Sequence, residues 1–103
     1  MSDVPIFTFQ ISHEECSYAL MNIRTITDER YYWEFDGLWG LRHYVRVFGG
    51  FDILMAKVMF TAIPIGIECS VIVDELCLED ALEIKRRVIE LTEAHHERIL
   101  IAA

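Results

Sequence analysis

From Leu78 to about Leu100 the chain repeats apolar residues every three or four positions, and this stripe constrains the fold more than any other feature. At about 100° per residue, Leu78, Ala81, Leu82, Ile84, Val88, Ile89 and Ile99 fall on one side of a helix. Glu79, Asp80, Glu83, Arg86, Arg87, Glu90, Glu93 and Glu97 fall on the other. Acids in the first turn and His95, His96 and Arg98 in the last complement the helix dipole. Glu83 and Arg87 form an i,i+4 pair in the better orientation. One amphipathic helix cannot bury its own stripe, so it must lie on a second layer. The expected contact runs through Leu82, Val88 and Ile89. Lys85 falls among the apolar positions and is expected to lay its stem along the core edge with its ammonium in water.

The rest of the chain supplies strands for that second layer. Ile6 to Ile11 alternates, with Phe7, Phe9 and Ile11 on one face and Thr8 and Gln10 on the other. Ser12-His13-Glu14-Glu15 has the form of a capping box, and Cys16, Leu20 and Ile23 follow at helical spacing. A short helix near residues 13–23 is predicted, with a strand over Ser17 to Ile26 as the alternative. Arg30 to Phe35 is aromatic and alternating, and Asp36-Gly37 then predicts a tight hairpin into a second run, Leu38 to Phe48. In that run Leu41, His43, Val45 and Val47 share one face and Arg42, Tyr44 and Arg46 the other. Gly49-Gly50 is a break. Phe51 to Ala62 is apolar on every face, so periodicity does not separate buried strand from buried helix; its length and the preceding glycines favour a strand. After the Pro64–Gly66 turn, Ile67, Cys69, Val71 and Val73 alternate with Glu68 and Ser70. The prediction is an α+β fold: a mostly antiparallel sheet of four or five strands covered by the long C-terminal helix, a two-layer sandwich. With 103 residues, 1–103 reads as a single domain.

Composition limits the function classes. The formal charge is −8, which opposes direct nucleic-acid binding and attraction to anionic membranes. The charge is uneven: residues 1–36 hold seven acids against two bases, residues 37–73 two against three, and residues 74–103 eight against four. Ile53 to Val73 is mostly apolar, but Lys57, Glu68, Pro64 and Gly66 argue against a membrane span. Residues 1–5 lack the basic start and apolar run of a cleaved leader, and three cysteines form no even framework. A cytoplasmic, reducing setting is the expectation.

No motif names a reaction. His13, Cys16, Cys69, Cys77, His95 and His96 lack the paired spacing of a zinc site, and no cysteine sits in an elbow or oxyanion loop. Cys16, in a helix first turn, would have a lowered pKa if exposed. Gly49-Gly50 lacks phosphate-loop spacing, and the adjacent acids Glu14-Glu15 and Asp28-Glu29 follow from composition. No metal or cofactor is implied. The most informative cluster is Tyr31, Tyr32, Trp33, Trp39, Arg42, Tyr44 and Arg46, because Tyr, Trp and Arg dominate binding hot spots. The expected function is a non-catalytic acidic module that occupies a basic surface of another protein, as inhibitors, immunity proteins and anti-defence proteins do. These seven residues are the expected partner-binding set. A homo-oligomer or obligate complex is expected from the 53% apolar content. The alternatives are a homo-oligomeric domain with a small-molecule or weakly catalytic site in an interface cleft, marked by a deep pocket at His43 or Lys85, and a structural assembly subunit.

Overall fold

The computed structural model describes residues 7–25, 28–73 and 78–102, the side chains of 78–80 and 94–102 excepted. The expectations for Cys77 and for the side chains of Leu78, Glu79, Asp80, His95, His96, Glu97, Arg98 and Ile99 lie outside the described residues. The elements follow in the order β1 (Phe7–Ile11), α1 (His13–Asn22), β2 (Tyr31–Phe35), β3 (Gly40–Val45), β4 (Ile53–Ile63), β5 (Gly66–Ile72) and α2 (Leu78–Ala102). All strand pairs are antiparallel, in the order β1-β5-β4-β3-β2. The α+β sandwich predicted from the pattern is the observed fold.

The N-terminal helix is the one that the capping box predicts. Ser12 Oγ accepts from the Glu15 amide at 3.0 Å, and Glu15 Oε1 accepts from the Ser12 amide at 2.9 Å. The 51–62 run is the strand β4 at the centre of the sheet. It looks apolar on every face because both of its faces are partly buried: Ala56, Val58 and Phe60 under the helices, Met59 among the neighbours on the other side. The stretch that could pass for a membrane span is the β4–β5 hairpin, and no helix among the described residues is long and apolar enough to cross a membrane.

One hairpin differs from its expected form. A two-residue type I′ turn would need two residues with positive φ, and here Gly37 alone has it, at 72°. The Asp36 amide instead donates to the Gly40 carbonyl at 2.9 Å across a wider loop, which puts Leu38 and Trp39 in the connection rather than in β3. Gly66 has a different constraint: a Cβ there would lie 2.7 Å from the Ile11 carbonyl oxygen, so β1 and β5 approach too closely for any side chain.

The core lies on one side of the sheet. Ile11, Leu41, Val58, Phe60, Ile67, Cys69 and Val71 point toward the helices, and α1 adds Cys16 and Ala19. The α2 contact is rotated from the expected one. Ala81, Ile84, Val88 and Leu91 are fully buried, Ile89 is half-buried, and Leu82 is 48% exposed. The rotation follows from Arg87, which the pattern places on the solvent face. Its guanidinium instead lies 4.0 Å from the centre of the Tyr31 ring and bonds inward, turning Leu82 outward. Lys85 is exposed, with Nζ 5.8 Å and 5.7 Å from the Phe7 and Phe9 rings, the expected edge position. The two helices are tied by Asn22, whose Nδ2 donates to the Leu91 carbonyl at 3.0 Å. Leu91→Ala should therefore cost ~2–5 kcal/mol in urea melts, while Leu82→Ala should cost under ~0.5 kcal/mol. Equal losses would show that α2 seats on a different face.

Candidate functional site

Both helices sit on one face of the sheet, so among the described residues the other face is bare. Strand register assembles it. Tyr32 faces Tyr44, and Glu34 faces Arg42, across β2 and β3. Arg42 faces Lys57, and Tyr44 faces Leu54, across β3 and β4. Lys57 faces Ile72, and Met59 faces Ser70, across β4 and β5. A β-bulge at His43/Tyr44 leaves Met55 unpaired in β4. The bulge turns both Met55 and Ala56 toward the helices, which leaves Leu54 on the bare face beside Tyr44.

The expected partner-binding residues separate into three groups. Tyr32, Arg42, Tyr44 and Arg46 come together on the bare face. The Tyr32 and Tyr44 rings stack at 5.2 Å, Arg46 lies 4.8 Å from the centre of the Tyr32 ring, and Arg42 lies 5.9 Å from that of Tyr44. The Tyr32 hydroxyl donates to Asp52 at 2.7 Å, which pushes its pKa up to about 12. Arg46 also donates to the Asp28 carbonyl at 3.0 Å. The Asp28 carboxylate is held at about 2, mainly by its hydrogen bond from the Arg30 guanidinium. Trp39 stands apart, 56% exposed in the β2–β3 loop.

Tyr31 and Trp33 are corrections to the expected set. Both are buried on the helix side of the sheet, because odd-numbered residues of β2 point to the helices. Tyr31 donates to Glu90 at 3.3 Å, and the Trp33 ring lies 4.2 Å from that of His43. Neither is open to a partner.

Pattern reading passed over Leu54, Lys57, Met59 and Ile72, which complete the bare face. It also passed over Phe48 and Phe51, both fully exposed at the tip of the β3–β4 hairpin. Fixing β4 as a strand would have found Lys57 and Met59 by alternation; Ile72 follows Glu68 and Ser70 in β5, and Leu54 reaches this face only through the bulge. Two phenylalanines flanking Gly49-Gly50 were a visible signal for the tip.

His43 is fully buried. Its Nε2 is 2.6 Å from Arg87 Nη1 and must accept there, since a guanidinium only donates. The proton then sits on Nδ1, which has no hydrogen bond of ordinary geometry. Arg87 is anchored in turn by Glu83 at 3.1 Å. Burial first and the Arg87 charge second hold the imidazole pKa down at about 3, against a weaker opposite pull from the Tyr32 backbone. The imidazole is closed in by Tyr31, Trp33 and Arg87 and is a neutral core residue.

Cys16 and Cys69 are inert for the same reason. Burial raises the Cys16 thiol and pushes Cys69 up to about 12, so the lowered pKa expected for an exposed Cys16 does not arise. Among the described residues no three His, Cys, Asp or Glu side chains gather to hold a metal. Glu14, Glu15 and Glu93 line a shallow cleft of about 250 Å³ between the helices, with Ser12, Tyr18 and Thr92.

The chain matches no protein-family model, no curated protein and no solved structure.

Because the folded His43 binds its proton only near pH 3 and the unfolded one near 6.5, stability falls as pH drops through that window. The limit for one proton is roughly 1.4 kcal/mol per pH unit. His43→Gln, which keeps an acceptor for Arg87, should flatten the pH dependence of the melting curve between those values. An unchanged slope would mean that the imidazole is solvated. Trp33→Ala should lose ~3–5 kcal/mol. Tyr32→Ala should keep the fold, and circular dichroism melts separate the two.

Proposed function

We propose that the protein is a non-catalytic binding module, of the inhibitor, immunity or anti-defence type, that docks a basic protein partner on the bare face of its sheet. The observation that carries this reading is the one-sided fold: two helices cover one face of a five-stranded sheet and leave the other without a layer. That face has the anatomy of an interface. Tyr44, Leu54, Met59 and Ile72 make a half-buried apolar centre, and Arg42, Lys57, Glu34 and Glu68 add charges of both signs.

Charge supports a basic partner. The chain as a whole carries −8, while the sheet face is nearly balanced, with Arg42 and Lys57 against Glu34 and Glu68. Such a field draws a cationic partner in and speeds encounter, while contact itself is made by Tyr, Met and Ile. Nucleic acid fits less well. Stacking platforms present free ring faces, whereas Tyr32 and Tyr44 spend theirs on each other and on Arg46 and Arg42. The alternative of a small-molecule or weakly catalytic site loses support because His43 is packed shut and Lys85 stands in solvent at a sheet edge. The same reading assigns the chain to the cytoplasm, where the free, buried Cys16 and Cys69 suit a reducing medium.

Affinity capture from the native host with the wild-type chain and with Met59→Glu, followed by mass spectrometry, tests this. The expected result is a basic protein bound by wild type, released by salt, and held roughly 30-fold more weakly by the variant. Identical capture by both chains would remove the bare face from the interaction.

A further inference from the structure

The edge of the sheet carries a second surface, independent of whatever the bare face binds. β2 is an outer strand, paired to β3 on one side only. The phase of that ladder decides which backbone groups are free. Asp36 donates to Gly40 at 2.9 Å, and Arg46 donates to Arg30 at 2.8 Å, with the residues between in the same register. Hydrogen-bonded pairs alternate in an antiparallel ladder, so Tyr32 and Glu34 spend their amides and carbonyls on β3. Tyr31, Trp33 and Phe35 aim theirs away from the sheet. Arg42 reaches one of these groups, the Phe35 carbonyl, at a long 3.4 Å.

A groove runs beside this edge. It measures about 420 Å³ and is lined by Ile23 and Arg24, after the end of α1, and by Tyr32, Trp33, Glu34 and Phe35. Natural edges are commonly blunted by Pro, Lys or a bulge, and Tyr31-Tyr32-Trp33-Glu34-Phe35 has none of these.

We propose that β2 pairs with β2 of a second copy, antiparallel about a two-fold axis at Trp33, to give one continuous ten-stranded sheet. The free groups at Tyr31, Trp33 and Phe35 are symmetric about Trp33. Tyr31 then meets Phe35 of the other copy, Trp33 meets Trp33, and each pair exchanges both bonds, six in all. Side chains fit the same register. Phe35, on the helix side and nearly half exposed, comes to lie at the cross-strand position opposite Tyr31 of the other copy. Glu34 faces Tyr32 of the other copy rather than its own equivalent, so no like charges oppose. The two-fold also carries Glu34, whose own-chain ion pair with Arg42 is a long 3.9 Å, to the other copy's groove, which Arg24 lines without an ion pair among the described residues. The outward amides and carbonyls of the edge are thus matched by the edge itself, as an isologous dimer requires.

Sedimentation equilibrium and hydrogen exchange on the full chain test this. The expected mass is twice that of the monomer, and the amides of Tyr31, Trp33 and Phe35 should exchange slowly. Phe35→Pro removes an outward N–H without touching the β2–β3 ladder and should give a folded monomer. Arg24→Glu, at an exposed position, provides the same test if the proline variant does not fold. It should weaken the dimer about ten-fold through its two symmetric contacts. In its monomer, Tyr31, Trp33 and Phe35 should exchange as free edge amides while Tyr32 and Glu34 stay protected. A monomer at all concentrations overturns the proposal. So does a dimer that persists unchanged in both variants.

Discussion

The seating of the α2 stripe on the inward row of the sheet is the contact on which the rest depends. Ala81, Ile84, Val88 and Leu91 are fully buried against a sheet whose Leu41, Val58, Cys69 and Val71 are equally dry. α1 lies against α2 in the same layer, with Asn22 locked to the Leu91 carbonyl. With both helices on one side, the inward face of every strand becomes core. The outward face is left with Tyr32, Arg42, Tyr44, Lys57 and Met59, and among the described residues no strand pairs with the outer edge of β2.

A polar seam crosses that apolar contact. Arg87 lies over Tyr31, is held by Glu83 and donates to a buried imidazole. Desolvating a guanidinium is costly, and the seam offsets that cost by giving the cation a carboxylate, a ring face and a neutral acceptor together. Its contribution is orientation as much as stability. The stripe alone permits α2 to roll toward Leu82 or toward Leu91, and the Arg87–His43 bond selects the second. The same bond keeps His43 neutral, which makes the core sensitive to acid.

Charge is uneven along the chain: the acidic residues 1–36 include β1, α1 and β2, while the near-neutral residues 37–73 form β3, β4 and β5. In the proposed function, long-range attraction comes from the charge of the whole chain and short-range contact from the near-neutral sheet face. On that proposal, a chain of net charge −8 approaches a cationic partner quickly and still meets it through tyrosine, methionine and isoleucine.

The sequence by itself determined the elements whose signals are local. The Ser12–Glu15 box sets the start of α1, alternation sets β1 and β5, and the stripe sets α2, because each is written in residues a few positions apart. The parity of β3, with Leu41 and His43 opposite Arg42 and Tyr44, was legible for the same reason. Tertiary structure alone decided which side each face would meet. Tyr31 and Trp33 look like binding residues in the sequence, yet they are core, since an aromatic strand reads alike whether its odd or its even face is covered. Leu82 lost its place to Leu91 because a cation forty-four positions from His43 bonds to it across the layers. Lys57, Met59 and Ile72 joined Tyr44 only through pairing of β3, β4 and β5, a long-range register that no local pattern encodes.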